Sequence, residues 1–183
     1  MVIQIDTKID ELYKLVENRK AEIINGKIIE MAPTGFLPGR VAGQIYNSLK
    51  QYEKQYRTGY AIPDNVGFIV NLPNRTSFSP DAAYYVGKAT GMKFLEGAPI
   101  FAVEVRSEND YGVAEEEKMK QKRADYFASG TRVVWDVDLL SVNTIYKYCY
   151  DAPDSPIIFR RGEIADAEPA LPSWRISIDE LFD

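Results

Sequence analysis

The sequence predicts a mixed α/β fold with one central β-sheet flanked by helices. Residues 99–106 form a mostly apolar run with β-branched and aromatic side chains, which is typical of a strand buried on both faces. A helix-like run over 114–129 and a second apolar run over 131–137 follow it. Strand, helix and strand in this order predict a right-handed crossover with parallel pairing. Antiparallel pairing is predicted where Asn25-Gly26 separates two short apolar runs.

The N-terminal third is predicted to contain a helix, a hairpin and a longer helix. Apolar residues recur at helical spacing over 7–17. Residues 22–30 form a hairpin around Asn25-Gly26, because these two residue types accept the positive φ angles of a type I′ turn. Prolines and glycines between 33 and 39 predict a loop. Apolar residues at every third or fourth position then predict a long amphipathic helix over 40–57.

The remaining elements are predicted to be strands and a C-terminal tail. Residues 66–70 and 78–86 favour strands because β-branched and aromatic residues are frequent in both. Residues 142–150 predict another strand, whose tyrosines alternate onto one face; such a row is more typical of sheet packing, or of a homodimer face, than of base stacking. Several prolines between 153 and 172 predict a tail that wraps the surface and ends in a short helix near Ile178.

Length and composition indicate one domain spanning residues 1–183. Hydrophobic residues make up 45% and charged residues 27% of the chain, as in an ordinary soluble domain. The chain contains no run of 18 apolar residues, so we expect no membrane span and no membrane partner. Its start lacks the layout of a signal peptide, and Cys149 has no second cysteine to pair with. We therefore expect a cytoplasmic protein.

The absence of histidine from the sequence is the most informative count. It excludes Ser-His-Asp and Cys-His catalysis, histidine-based zinc sites, and imidazole as a general acid or base. Hard-cation chemistry on Asp and Glu oxygens, assisted by lysine, remains. The net charge of −5 argues against a uniformly basic nucleic-acid coat, although lysines and arginines can still concentrate on one face.

Two acids are candidate metal ligands. Glu104 lies inside the mostly apolar strand, and burying an unpaired carboxylate costs several kcal/mol. A basic side chain, or a metal shared with another acid, is therefore expected beside it. Asp81 begins a second apolar run, and if the two strands are neighbours, roughly 5 Å apart, both carboxylates can bind one cation. The alternatives are a turn hydrogen bond for Asp81 and an ion pair between Glu104 and Arg106 or Lys122.

Four short motifs occur in a fixed order around these acids. They are Pro80-Asp81, Glu104-Val105-Arg106-Ser107, the helical run from Lys122 through Tyr126 to Gly130, and the strand from Val133 to Asp138. In this order and context they resemble the Uma-type restriction endonucleases, a family of the PD-(D/E)XK nuclease superfamily. The resemblance extends from Asn25-Gly26 to about Tyr150.

The resemblance implies a restriction-endonuclease-like fold and metal-dependent phosphodiester hydrolysis, with DNA as the expected substrate. Asp81 and Glu104, with the carbonyl of Val105, would bind Mg²⁺ or Mn²⁺. The superfamily commonly has lysine where this chain has Arg106, which cannot act as a base near neutral pH but can bind a phosphate as a clamp. Uma-type proteins place the lysine on the following helix, where Lys122 matches and would orient water or neutralise phosphate charge.

Three further residues near these motifs have competing interpretations. Lys118 shares a helix stripe with Lys122 and Tyr126, but nearby glutamates predict that it forms a solvated, salt-bridged surface. Tyr126 is expected to pack and orient its neighbours. Related nucleases often place an N-terminal acid near the metal, so Glu22 is a weaker candidate, although an exposed hairpin glutamate is the commoner outcome.

Two other function classes stay open at the level of sequence. One is a catalytically inactive nuclease-like module that serves in interaction or regulation, with a homodimer as one form of it. The net acidity and the presence of Arg106 in place of lysine favour this class. A metal-dependent hydrolase of a small phosphoester is the third option. Magnesium-dependent stabilisation of the protein separates a working metal site from an inactive one.

Overall fold

The computed structural model describes residues 3–15, 20–140 and 143–182. Within these ranges the helices are α1 (Ile3–Leu15), α2 (Phe36–Tyr56), α3 (Val113–Ala128) and α4 (Ile178–Phe182). The strands are β1 (Ala21–Ile24), β2 (Lys27–Glu30), β3 (Tyr60–Ile62), β4 (Phe68–Ile69), β5 (Ser77–Phe78), β6 (Ala82–Tyr85), β7 (Leu95–Glu96), β8 (Phe101–Val105), β9 (Val133–Asp138), β10 (Thr144–Cys149), β11 (Ala152–Phe159), β12 (Ile164–Asp166) and β13 (Arg175–Ser177).

Six strands form the central sheet, in the order β11-β10-β9-β8-β6-β3. Strands β8 and β9 pair in parallel, and the other neighbouring pairs of this sheet are antiparallel. Helix α3 connects the two parallel strands, so the predicted strand, helix, strand crossover is confirmed. The mixed α/β fold with one central sheet flanked by helices is confirmed as well.

Helices cover both faces of the central sheet. On one face, Val103 packs in a hydrophobic cluster with Leu49 of α2 and with residues of α4. On the other face, Ala102 packs with Tyr126 of α3. Side chains alternate along a strand, so Glu104 lies on the same face as Ala102 and is directed toward α3. The alternation of β8 therefore brings a carboxylate under the crossover helix.

The N-terminal hairpin packs beside this sheet. Strands β1 and β2 pair with Ile24 opposite Lys27, and the turn residues Asn25 and Gly26 have φ angles of 49° and 68°, as predicted. Helix α1 contributes Ile9 to a small cluster with Ile23 of β1. The helix predicted over 7–17 begins four residues earlier; residues 16 and 17 lie outside the described ranges.

Two elements depart from the predicted boundaries because of proline. Helix α2 begins at Phe36 rather than near residue 40, since Pro38 lies in its first turn, where an amide hydrogen has no partner within the helix. Strand β11 was not predicted, because Pro153 and Pro156 lie within it. It is an edge strand, where proline is tolerated because one side of the strand needs no hydrogen bonds.

The C-terminal tail contributes to the core, so the prediction that it only wraps the surface was wrong. Strands β12 and β13 form a separate two-stranded sheet, and Leu171, Trp174 and Ile176 are buried in the cluster under α2. The short helix predicted near Ile178 is confirmed as α4.

Strand β10 lies within the predicted range 142–150, of which residue 142 is outside the described part. Among the described helices, none combines the length and the apolarity that a membrane crossing requires.

Candidate active site

The pairing of β6 with β8 fixes the position of Asp81. Its backbone amide donates a hydrogen bond to the carbonyl of Val103 at 3.0 Å. Its carboxylate accepts a hydrogen bond from the amide of Val105, with 2.7 Å between Oδ2 and the nitrogen. The predicted proximity of the two strands is therefore present, and the carboxylate of Asp81 lies against the backbone that carries Glu104.

Glu104 receives both of its side-chain hydrogen bonds from α3. Lys122 Nζ lies 2.7 Å from Oε2, and the hydroxyl of Tyr126 donates to Oε1 at 2.7 Å. The two donors are four residues apart and so lie on the same face of the helix. The Glu104 side chain is 13% exposed, so it is not completely enclosed by the protein. The basic partner predicted for a buried Glu104 is Lys122.

The surroundings of Glu104 contain excess negative charge. Burial, followed by the charges of Asp81 and Glu22, raises the pKa of Glu104 to about 7 against the attraction of Lys122. Burial by itself lowers the pKa of Lys122, but the carboxylates of Glu104 and Glu22 outweigh it and raise that pKa above its ordinary value. Lys122 is therefore a protonated ammonium at neutral pH.

Glu22 lies in this cluster, and the expectation that it is exposed on the hairpin was wrong. The residue is 1% exposed. Its Oε1 lies 3.0 Å from Lys122 Nζ and accepts the amide of Ser79 at 2.9 Å, while Oε2 accepts Arg75 Nη1 at 2.5 Å. Arg75 Nε in turn donates to Asp125 of α3 at 2.8 Å. Glu22 thus joins the hairpin to α3 through buried ion pairs.

Lys20 supplies a second ammonium, which contacts the carboxylate oxygen of Asp81 that does not bind the amide of Val105. Its Nζ lies 2.5 Å from Asp81 Oδ1 and 2.8 Å from Asp64 Oδ1. The sequence reasoning missed this residue, although alternation along an extended strand places Lys20 on the same side as Glu22 and could have indicated it. No comparable sequence pattern related Arg75 or Asp125 to the candidate metal ligands.

Arg106 does not join Asp81 and Glu104. Its guanidinium donates to both oxygens of Asp136, from Nε and Nη2 at 2.7 Å each, and to Glu116 of α3. The side chain is 6% exposed, so burial and these ion pairs hold it in place. The predicted phosphate clamp at Arg106 has no support in this geometry, because two carboxylates already occupy its donors.

The other candidates are placed as follows. The amide of Val105 contacts Asp81, and its carbonyl as a metal ligand stays a prediction. Lys118 is 72% exposed and pairs with Glu115 at 2.6 Å, which agrees with a solvated surface. Tyr126 is fully buried and stacks on Phe78, with ring centroids 4.0 Å apart, in addition to its hydrogen bond to Glu104.

The donor chemistry of the cluster fits a divalent cation. Among the described residues, the ion pairs around Asp81 and Glu104 join five acids (Glu22, Asp64, Asp81, Glu104 and Asp125) to three bases (Lys20, Arg75 and Lys122). The set has a net charge of −2 when fully ionised, and its carboxylate oxygens are hard ligands suited to Mg²⁺ or Mn²⁺. No three Asp, Glu, Cys or His side chains of the described chain are already grouped for metal binding. Lysine ammoniums instead neutralise these oxygens.

Comparisons with known proteins identify the family and the fold of the chain. The model of the Uma2 family, described as "Putative restriction endonuclease", matches residues 9–179. The chain belongs to this family. The match confirms the predicted resemblance and extends it toward both ends of the chain. None of the curated proteins matches.

A solved structure shows the same fold. It is a "putative nuclease belonging to DUF820" from Anabaena variabilis, with a TM-score of 0.74 and 19% sequence identity. The likeness covers 95% of this chain and 96% of that chain. The restriction-endonuclease-like fold is therefore shown.

Proposed function

We propose that the protein is a metal-dependent DNA endonuclease that hydrolyses phosphodiester bonds. The observation that carries the proposal is that Glu104 pairs with the ammonium of Lys122, while Asp81 accepts the amide of the next strand residue, Val105, so that both carboxylates lie at the end of β8. Two carboxylates beside a lysine at a partly accessible position are the groups that such hydrolysis needs. Membership of a nuclease family supports the same reaction class.

Each residue of this site has a distinct role in the proposal. Asp81 and Glu104, with the carbonyl of Val105, would hold Mg²⁺ or Mn²⁺. When bound, such an ion polarises a phosphate oxygen and makes a bound water more acidic. Lys122 keeps its proton at neutral pH, so it neutralises developing negative charge on the phosphate or orients the attacking water rather than acting as a base. The Tyr126 hydroxyl holds Glu104 in place.

A plasmid assay tests the reaction directly. We expect the purified protein to nick supercoiled DNA with Mg²⁺ and to stop on addition of EDTA. Asp81→Asn and Glu104→Gln should each reduce nicking by at least about 10²-fold, since each removes a charged group from the reacting centre. Glu117→Gln is the matched control, because Glu117 is an exposed residue of α3. Nicking by Glu104→Gln at the control's rate would overturn the assignment.

A second candidate is an inactive nuclease-like module. The observation that favours it is that the ammoniums of Lys20 and Lys122 pair with Asp81 and Glu104. A magnesium titration of the melting temperature separates the two candidates. A working site should stabilise the protein progressively as Mg²⁺ rises, by mass action, whereas an inactive module should not respond.

A further inference from the structure

The ammonium of Lys20 lies between two acids of different accessibility. It contacts Asp81, whose side chain is 19% exposed, and Asp64, whose side chain is 42% exposed. Lys20 itself is 15% exposed. The three groups therefore form a short path from the candidate metal site to the protein surface.

The position of Lys20 is set by the hairpin rather than by Asp81. The carbonyl of Lys20 accepts the amide of Met31 at 2.8 Å, next to the first pair of the hairpin ladder. The side chain beyond it is a flexible four-carbon stem, so Nζ can move while the backbone stays fixed. Asp81 has a second donor in the amide of Val105 and keeps its position if Lys20 leaves.

The positive charge of Lys20 opposes the entry of another cation beside Asp81. The ammonium of Lys20 lies between the carboxylates of Asp81 and Asp64, 2.5 Å from the first and 2.8 Å from the second. A divalent ion beside Asp81 would lie close to this positive charge as long as Nζ keeps its present position, and like charges at such a distance repel strongly in a partly buried site. Cation binding at Asp81 therefore requires the ammonium to move away.

We propose that Lys20 is a built-in counter-ion that sets the cation affinity of the site, and that Asp64 receives its ammonium when a divalent ion binds Asp81. This inference rests on the proposed function. Lys20 is thus a positioning residue: without metal it neutralises Asp81, and with metal it pairs with Asp64 alone. Because Asp64 already lies 2.8 Å from Nζ, the transfer needs only a side-chain movement.

Direct titration of Mn²⁺ into the purified protein tests the proposal without an activity assay. Lys20→Met keeps the aliphatic stem and removes the charge. We expect it to tighten Mn²⁺ binding by about tenfold, equivalent to ~1.4 kcal/mol. Lys118→Met removes a 72%-exposed lysine that pairs with Glu115, away from the proposed site, and it should leave the Mn²⁺ affinity unchanged.

A double-mutant cycle tests the role of Asp64. Asp64→Asn should weaken Mn²⁺ binding by roughly threefold in the wild-type background, because Lys20 then loses its alternative partner. In the Lys20→Met background the same change should have little effect. Equal weakening in both backgrounds would show that Asp64 acts only as a nearby negative charge, and would overturn the transfer. Urea unfolding of each variant checks that it is folded.

The outcomes separate this inference from the proposed function. If the wild type binds Mn²⁺ and Lys20→Met binds it equally or more weakly, Lys20 does not compete with metal, while the nuclease proposal stands. If the wild type binds no Mn²⁺ but Lys20→Met does, the competition is supported in its strongest form. If no variant binds Mn²⁺, both proposals fail together.

Discussion

Two clusters of charged side chains lie next to each other on the α3 face of the central sheet. One is the acid-rich cluster, defined by the five acids and three bases around Asp81 and Glu104. The other is the arginine cluster, in which Arg106 and Arg123 pair with Asp136 and Glu116. Glu104 and Asp136 are register partners on parallel strands, so the two clusters are centred on adjacent acids.

The two clusters differ in charge balance and in the type of base. The arginine cluster contains two acids and two bases, and Asp136 is fully buried with arginine donors on both oxygens. Its planar guanidiniums hold carboxylates in a fixed bidentate geometry. The acid-rich cluster has surplus negative charge, and lysines on flexible stems contact its candidate metal ligands. A balanced arginine network suits a structural role, whereas a surplus of acids leaves room for a cation.

The largest expected effect compares the two register partners directly. Asp136→Asn leaves the buried Arg106 without its bidentate partner, and breaking such a pair costs about 3–5 kcal/mol of unfolding free energy. Glu104→Gln removes a negative charge from a cluster in which acids outnumber bases. It should therefore lower the unfolding free energy by less than ~1 kcal/mol in metal-free protein at pH 7.5. Urea unfolding in EDTA measures both.

Equal losses of unfolding free energy in Asp136→Asn and Glu104→Gln would contradict the proposed difference between the two clusters. A large loss for Glu104→Gln would show that its ion pair with Lys122 is a structural element like that of Asp136. Asp136→Asn should also leave any Mg²⁺-dependent nicking per folded molecule within a few-fold of wild type, because Arg106 lies outside the proposed site.

The next effect concerns activity. Lys122→Met should reduce Mg²⁺-dependent plasmid nicking by about 10²–10³-fold, the size seen when one donor to a developing negative charge is lost. Lys118→Met is the control, one turn earlier on α3 and largely exposed. A similar loss in both variants would point to a general effect of helix charge on DNA binding, which raised salt would imitate.

Sequence patterns within one element predicted several of the contacts in the acid-rich cluster. An acid inside an apolar strand predicted a partner for Glu104, and helical spacing put Lys122 and Tyr126 on one face. The missing residues come from distant segments: Lys20 is 61 residues from Asp81, and Arg75 is 50 residues from Asp125. Their meeting depends on how the hairpin and the loop after β4 pack, which no local periodicity records. The predicted phosphate clamp at Arg106 lacks support for the same reason, because its partner Asp136 lies on another strand.

A third prediction uses the pH dependence of stability. The pKa of Glu104 is raised from 4.5 to about 7 in the folded metal-free protein, chiefly by burial. The folded state then binds more protons than the unfolded state between these values, so the contribution of Glu104 to stability falls as pH rises through this window. The wild type should lose up to about 3 kcal/mol relative to Glu104→Gln between pH 4.5 and pH 7.5.

Parallel urea titrations of wild type and Glu104→Gln in EDTA measure this difference. Saturating Mg²⁺ should reduce the fall in the wild type, because a bound cation favours the ionised carboxylate. A constant difference across the pH range would show that Lys122 fully compensates the charge of Glu104, and that the acid-rich cluster is balanced in practice.

The smallest expected effect comes from two tyrosine hydroxyls, one beside each cluster. Tyr126 donates to Glu104 at 2.7 Å, and Tyr111, whose ring lies under Arg106, donates to Asp138 at 2.8 Å. Either Tyr→Phe change should cost about 1.5–2 kcal/mol of stability, the lower end of the range for one hydrogen bond to a charged group. Only Tyr126→Phe should also slow nicking, by a few-fold, because Glu104 then lacks one of the two donors that orient it. A few-fold loss in Tyr111→Phe as well would mean that the rigidity of the arginine cluster is transmitted to the site through α3, and that the two clusters work as one unit.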